Sequence, residues 1–141
     1  MRTKISKMTK IIFYDFDNTL CLWQLLPVAK RQYEEFVKYR LQQQGSTGII
    51  RVIISTSTTL SKDLEMMGIT SYVDDAISVE NPLDKVEGME KVLSQRGLSA
   101  DEALYFDDDA DCVEEARKRG VRSICVSKRQ GIRPFFQCDQ Q

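Results

Sequence analysis

The segment Ile11-Ile12-Phe13-Tyr14-Asp15-Phe16-Asp17-Asn18-Thr19-Leu20 constrains this chain more than any other. Apolar and aromatic residues run without alternation into two carboxylates spaced one residue apart. An unbroken β-prone run of this kind reads as a strand covered on both faces, as in a parallel sheet. Open α/β sheets gather their ligands outside the carboxyl ends of such strands. Residues two apart in extended or just-uncoiling backbone point the same way. Asp15 and Asp17 are therefore expected to face one pocket, with Phe16 turned back into the core. Carboxylates aimed at one point repel each other unless a cation holds them or one keeps its proton.

The rest of the chain alternates between helical and strand patterns. Pro27 suits the first turn of a helix, and Ala29, Tyr33, Phe36, Val37 and Leu41 then recur at helical spacing to about residue 43. Arg40 is expected to face water, and Gly45-Ser46-Thr47-Gly48 to end the helix as a loop. Ile49 to Ser55 reads as a second buried strand. Ser57 and Thr58 can cap a short helix carrying Leu60, Leu64 and Met67 and closed by Gly68. Ala76-Ile77-Ser78 is a weaker third strand, and Asn81-Pro82-Leu83-Asp84 a turn. Val86, Met89, Val92 and Leu93 share one face of a helix stopped by Gly97. Leu104-Tyr105-Phe106 is a fourth strand ending in Asp107. Val113 and Ala116 mark another helix, and Arg122 to Val126 a fifth strand. The tail from Lys128 carries no assignable pattern. The alternation argues for a three-layer Rossmann-like sandwich: a parallel five-stranded sheet with helices on both faces.

At 141 residues the length suits a single domain spanning 1–141. The formal net charge of −1 provides no bulk field for nucleic acid or an anionic membrane. No apolar run approaches membrane-spanning length, and the basic start, Met1 to Lys10, leads into a run too short for a signal-peptide core. Cys21, Cys112, Cys125 and Cys138 show no CxxC pairing, so free thiols and a cytoplasmic, reducing setting are expected. Cys112 and Cys125 read as small buried hydrophobes. The chain contains no histidine, which excludes Ser-His-Asp and Cys-His catalysis and His-ligated zinc. Acid–base work falls to carboxylates, Lys, Tyr or Cys.

The polar outliers lie at strand ends or just after them. Asp15 and Asp17 follow the first strand, Ser55 ends the second, and Asp107 and Asp108 end the fourth. Lys85 opens the helix before the fourth strand, with Lys91 its rival. Right-handed crossovers bring such ends to one edge of the sheet. A carboxylate nucleophile, oxygen ligands for a divalent cation, a proton shuttle and donors for phosphate oxygens are then all available. Mg²⁺ suits that set, because it binds through one or two carboxylates plus phosphate and water. Simpler roles exist for some of these residues. Ser55 could merely cap a helix, and Asp109 and Asp111 read as favourable charge at a helix N-terminus. A calcium loop beginning at Asp107 fails, because Cys112 and Lys118 stand where Gly and Glu are needed.

On these residues the chain resembles the haloacid dehalogenase-like (HAD) hydrolases. Asp15-Phe16-Asp17-Asn18-Thr19-Leu20 is similar to their DxDxT signature. Ile53-Ile54-Ser55, Lys85 and Asp107-Asp108 follow in the order of their other motifs. Pro82-Leu83-Asp84-Lys85 and Tyr105-Phe106-Asp107-Asp108 resemble the small magnesium-dependent phosphatase-1 group more closely. The resemblance implies Asp15 as a nucleophile forming an aspartyl-phosphate, and Asp17 as general acid, then base. It implies Mg²⁺ held by Asp15, the Asp17 backbone carbonyl and Asp108, with Asp107 assisting. Ser55 and Lys85 would bind phosphoryl oxygens, and the first strand would lie beside the fourth. Thr56 departs from the basic residue that the phosphatase-1 relatives carry after the hydroxyl.

Positions 21–54 and 56–84 are filled by elements the core itself needs, so no cap domain is expected. An open site admits phosphoproteins, sugar phosphates or polynucleotide ends. Leu22, Trp23 and the connector to Pro27 are the candidates for its rim, although Trp23 and the Tyr33, Phe36 and Val37 stripe read first as core. A receiver-like phosphoacceptor would use similar groups but in another order, and a binding protein on the same fold is a third reading.

Overall fold

A computed structural model describes residues 8–136. Residues 1–7, most of the basic start, lie outside the described residues, as do Cys138 and the end of the tail. Five strands form one sheet: β1 (Ile11–Tyr14), β2 (Ile50–Ser55), β3 (Asp75–Ser78), β4 (Ala103–Asp107) and β5 (Arg122–Cys125). Their order is β3-β2-β1-β4-β5, and every pairing is parallel. β1 is thus central, between β2 and β4.

The helices are α1 (Pro27–Ser46), α2 (Leu60–Met67), α3 (Asp84–Arg96), α4 (Ala110–Lys118) and α5 (Arg133–Phe136). Two cores result. Ile12 and Tyr14 of β1 pack with Tyr33, Val37 and Leu41 of α1, Leu64 of α2, and Phe136. Ile11 and Phe13 pack on the other face with Val86, Met89, Cys112 and Ala116 of α3 and α4. β1 is apolar at consecutive positions because both faces are covered. Among the described residues no inserted domain interrupts this layering, and no helix is long and apolar enough to cross a membrane.

Several local expectations are corrected. α1 continues through Gly45 and Ser46 to a cap at Thr47. The missing side chain of Gly45 makes room for Arg51, whose Cζ would lie 2.6 Å from a Cβ there. Arg51 donates to the Leu41 carbonyl at 2.7 Å and pairs with Asp74 at 3.0 Å. Arg40 is buried rather than solvated, stacked between the Phe36 and Tyr39 rings and bonded to Gln43. Ala29 is exposed, because the buried stripe of α1 begins only at Tyr33. The start of α2 is organised by Ser57 and Thr59, which donate to Asp63, while Thr58 takes no part in a cap bond.

The unassigned tail has a definite place. Its described part turns at Gly131 and runs into α5, where Phe135 and Phe136 pack on Phe106 at 5.8 and 5.6 Å. Tyr33 ties this turn to the loop after β1: its hydroxyl donates to the Thr19 carbonyl and accepts from the Ile132 N–H at 2.9 Å. Cys21, Cys112 and Cys125 are free thiols. Cys125 is exposed, contrary to expectation, because β5 is an edge strand.

Candidate active site

Parallel pairing brings the carboxyl ends of β1, β2 and β4 to one edge. The register sets Tyr14 opposite Ile53 and Phe106, so Asp15 emerges level with Asp107. The Asp15 N–H extends the ladder, donating to the Phe106 carbonyl at 3.0 Å. The chain then coils sharply. Leu20 and Cys21 both donate to the Phe16 carbonyl, and Asn18 takes φ = 63°, a left-handed conformation that asparagine tolerates. Phe16 is buried in the α1-side core, as its place between two carboxylates predicts.

Lys85 reaches this edge from the first turn of α3. The turn before it is closed by Asp84, which accepts from the backbone and side-chain nitrogens of Asn81 at 3.2 Å. Lys85 Nζ donates to Asp15 Oδ1 at 2.9 Å and to Asp107 Oδ2 at 3.0 Å. Lys91, by contrast, lies on the solvent face of α3 and pairs with Glu87 at 3.8 Å.

The carboxylates of Asp15, Asp107 and Asp108 each offer an oxygen within 4.8 Å of the others. Oxygens around one octahedral Mg²⁺ lie ~3–4 Å apart, so the spacing is of the order that a shared divalent cation needs. The charges agree with the geometry. Burial, then the neighbouring Asp107 carboxylate, pushes Asp15 from its ordinary 3.8 up to about 8, and Lys85 only partly offsets them. Burial also works against the Lys85 ammonium, but Asp15 and Asp107 outweigh it and hold it charged. One buried ammonium leaves three carboxylates undercompensated, and a divalent cation corrects that imbalance.

The carboxylates are held differently. Asp107 is fully buried, and its oxygens accept from Lys85, from the Tyr105 hydroxyl and from the Asp109 N–H at 3.0 Å. Burial, then Asp107, pushes the Tyr105 hydroxyl far up, so it remains a donor. Asp108 pairs with the exposed Lys128 at 3.2 Å, and its carboxyl group also meets that of Asp15. Asp15 Oδ2 accepts from the Thr19 hydroxyl at 3.2 Å. Asp109 caps α4, accepting from Asp111 and Cys112 N–H, as its helix-terminus reading requires.

Ser55 is buried at the end of β2, and its hydroxyl oxygen accepts from the Ser57 N–H at 3.0 Å, leaving its proton to donate elsewhere. The Asp17 side chain is outside the acidic group; its Oδ1 accepts from Trp23 Nε1 at 2.8 Å. Trp23 is exposed and not part of the core, while Leu22 is fully buried and forms no part of a rim. Leu22 fills the α1-side core, which turns the next residue outward.

Three contacts escaped the sequence reading: Tyr105 with Asp107, Trp23 with Asp17 and Lys128 with Asp108. Tyr105 was discoverable, since residues two apart on a strand share a face and it stands two before Asp107. Nothing in the tail marks Lys128.

No protein-family model matches this chain. Solved structures described as haloacid dehalogenase-like hydrolases share its fold. The chain is similar to the N-terminal part of a Bacteroides fragilis protein containing a phosphatase domain complexed with Mg. That match has a TM-score of 0.68 and 14% identity, over 87% of this chain and 37% of that one. It is also similar to a haloacid dehalogenase-like family hydrolase from Streptococcus pneumoniae, with TM-score 0.61, 12% identity and 86% of each chain covered. A subfamily IA hydrolase of the same superfamily from Geobacter sulfurreducens has TM-score 0.58 and 17% identity, over 83% of this chain and 89% of that one. At such identities the shared property is the fold. This chain spans little more than a third of the Bacteroides chain.

Proposed function

We propose that the protein is a Mg²⁺-dependent phosphomonoester hydrolase of the haloacid dehalogenase type, closest to the capless magnesium-dependent phosphatase-1 group. The carrying observation is the buried Lys85 ammonium set between Asp15 and Asp107, with Asp108, paired with exposed Lys128, completing the acidic group. Asp15, Asp108 and the Asp17 backbone carbonyl would hold the ion. Asp107 supports them, since Lys85, Tyr105 and the Asp109 N–H already occupy its oxygens. Bound Mg²⁺ supplies neutralisation of the carboxylate and phosphoryl charge.

An Asp15 oxygen attacks phosphorus, the bond to the leaving oxygen breaks, and Asp17 gives that oxygen its proton. Water then hydrolyses the aspartyl-phosphate, and Asp17 takes the proton the water loses. Ser55 and Lys85 bind the phosphoryl oxygens, and Thr19 orients Asp15. The uncapped sheet edge suits a phosphate carried on a bulky group, a phosphoprotein or a sugar phosphate.

The test is release of p-nitrophenol from p-nitrophenyl phosphate, with Mg²⁺ or with EDTA, by wild type and Asp15→Asn. Turnover that needs the metal and is lost in the variant supports the reading. Turnover surviving in Asp15→Asn removes the aspartyl-phosphate, and silence of folded, Mg²⁺-loaded wild type toward a panel of phosphoesters removes the hydrolase.

A further inference from the structure

Asp17 is held by a side chain that belongs to none of the four motifs. Trp23 lies in the connector between β1 and α1 and is 56% exposed, yet its indole is fixed on two sides. Nε1–H donates to Asp17 Oδ1 at 2.8 Å. Lys30 Nζ stands 4.8 Å from the ring centroid, and Glu34, one turn along α1, holds Lys30 at 2.6 Å. Buried Leu22 anchors the connector immediately before it. Glu34, Lys30, Trp23 and Asp17 therefore form a row running from α1 to the acidic edge. A cation against an indole face contributes ~0.5–1 kcal/mol at an exposed site, enough to bias one ring orientation.

We propose that Trp23 is a positioning residue for Asp17, its indole N–H fixing the carboxyl so that Oδ1 accepts and Oδ2 carries the proton given to the leaving oxygen. This rests on the phosphatase reading above. An indole nitrogen is a donor only, so the oxygen it meets is not the one presenting the acid proton. As the phosphorus–oxygen bond breaks, the proton moves from Oδ2 to the departing oxygen. The attacking water later returns one proton to Oδ2. The indole bond persists through both steps and strengthens while the carboxylate is charged. One fixed rotamer then serves the acid and the base roles, which matters at an edge open to water.

The chain has a single tryptophan, so the indole N–H gives one unambiguous ¹H–¹⁵N resonance. In wild type that proton is expected to be shifted downfield and slow to exchange, and in Asp17→Ala to move toward free indole and exchange faster. An unchanged resonance overturns the contact, whether or not the protein turns over. Trp23→Phe keeps a ring beneath Lys30 and deletes only the donor. With phenyl phosphate, whose leaving oxygen needs a proton, its kcat/KM, which reports the steps up to expulsion of that oxygen, is expected to fall ~10-fold, part of the ~10²–10⁴ that general acid catalysis supplies. With p-nitrophenyl phosphate, whose leaving group needs less help, the loss of kcat/KM is expected to be several-fold smaller, while kcat, which also carries the base step common to both esters, falls for both. Equal losses of kcat/KM on the two esters, or a rise in KM alone, overturn the positioning role and make Trp23 a substrate wall. Absence of turnover by wild type overturns the phosphatase reading and the proton delivery with it, while the resonance still decides the contact.

Discussion

Lys85 Nζ lies 2.9 Å from Asp15 Oδ1, although 70 residues of chain separate them. The same ammonium is 3.0 Å from Asp107, and the three side chains are almost sealed from water. Removing one partner of such a group strands a buried charge, so Lys85→Met is expected to cost the metal-free protein ~3–5 kcal/mol. Urea unfolding in EDTA measures it. A cost below ~1 kcal/mol, the range of exposed pairs, would mean that water reaches the site.

The raised Asp15 sets a pH dependence whose sign is fixed. Its folded value, about 8, lies above the ordinary 3.8, so the native state binds the extra proton between those limits. The stability this contributes is fully present below about pH 4 and is lost as pH rises through about 8. Thermal unfolding in EDTA should therefore fall in midpoint across that window, and Asp15→Asn should flatten the fall. Mg²⁺ binding near neutral pH should release a proton, detectable calorimetrically in buffers of different ionisation enthalpy. A midpoint that rises across the window would contradict the assignment.

Asp107 and Asp108 are adjacent but should fail differently. Asp107→Asn disturbs bonds to Lys85, Tyr105 and the Asp109 N–H in a fully buried setting, so it should lower stability by ~2–3 kcal/mol. Asp108→Asn loses a pair with exposed Lys128 and alters a contact with Asp15 but strands no fully buried charge, so its stability cost should be the smaller, about 1 kcal/mol. Mg²⁺ affinity should drop at least ~10-fold in Asp108→Asn, if it is a direct ligand. Urea unfolding in EDTA and Mg²⁺ titration separate the two effects, and equal stability losses would refute the division of roles.

Gly131 couples the tail to the loop after β1. Its φ of 56° suits glycine, and a Cβ there would run into the Tyr33 hydroxyl and lie 2.7 Å from the Thr19 carbonyl oxygen. Gly131→Ala should destabilise by ~2 kcal/mol or more. It should also lower kcat, because Thr19 holds Asp15 Oδ2. Tyr33→Phe keeps the packing and should cost only ~1 kcal/mol. Unfolding and p-nitrophenyl phosphate turnover check both variants.

Much of the frame was legible because strand and helix periods are local. The uninterrupted Ile11–Tyr14 run identified a strand buried on both faces, and Gly68 and Gly97 marked helix ends in the left-handed conformation they adopt. Arg40 was misread because charge at the edge of an apolar stripe normally means solvent, whereas its long stem and planar head stack between Phe36 and Tyr39. Gly45 was misread as a breaker because the space it leaves is filled by Arg51, on the following strand. The tail had no period to read, since α5 is a single turn placed by contact with Phe106.

The amino-acid sequence alone determined the alternating α/β order, the acidic end of the first strand, and the exclusion of every chemistry that needs histidine. These depend on composition and on periodicity over a few residues. Only the tertiary structure decided which oxygens are already committed. It selected Lys85 over Lys91, bound Asp107 through Tyr105, paired Asp108 with the exposed Lys128, and set Trp23 against Asp17. Hydrogen-bond partners tens of residues apart depend on the register and packing of the whole sheet, which no local pattern encodes.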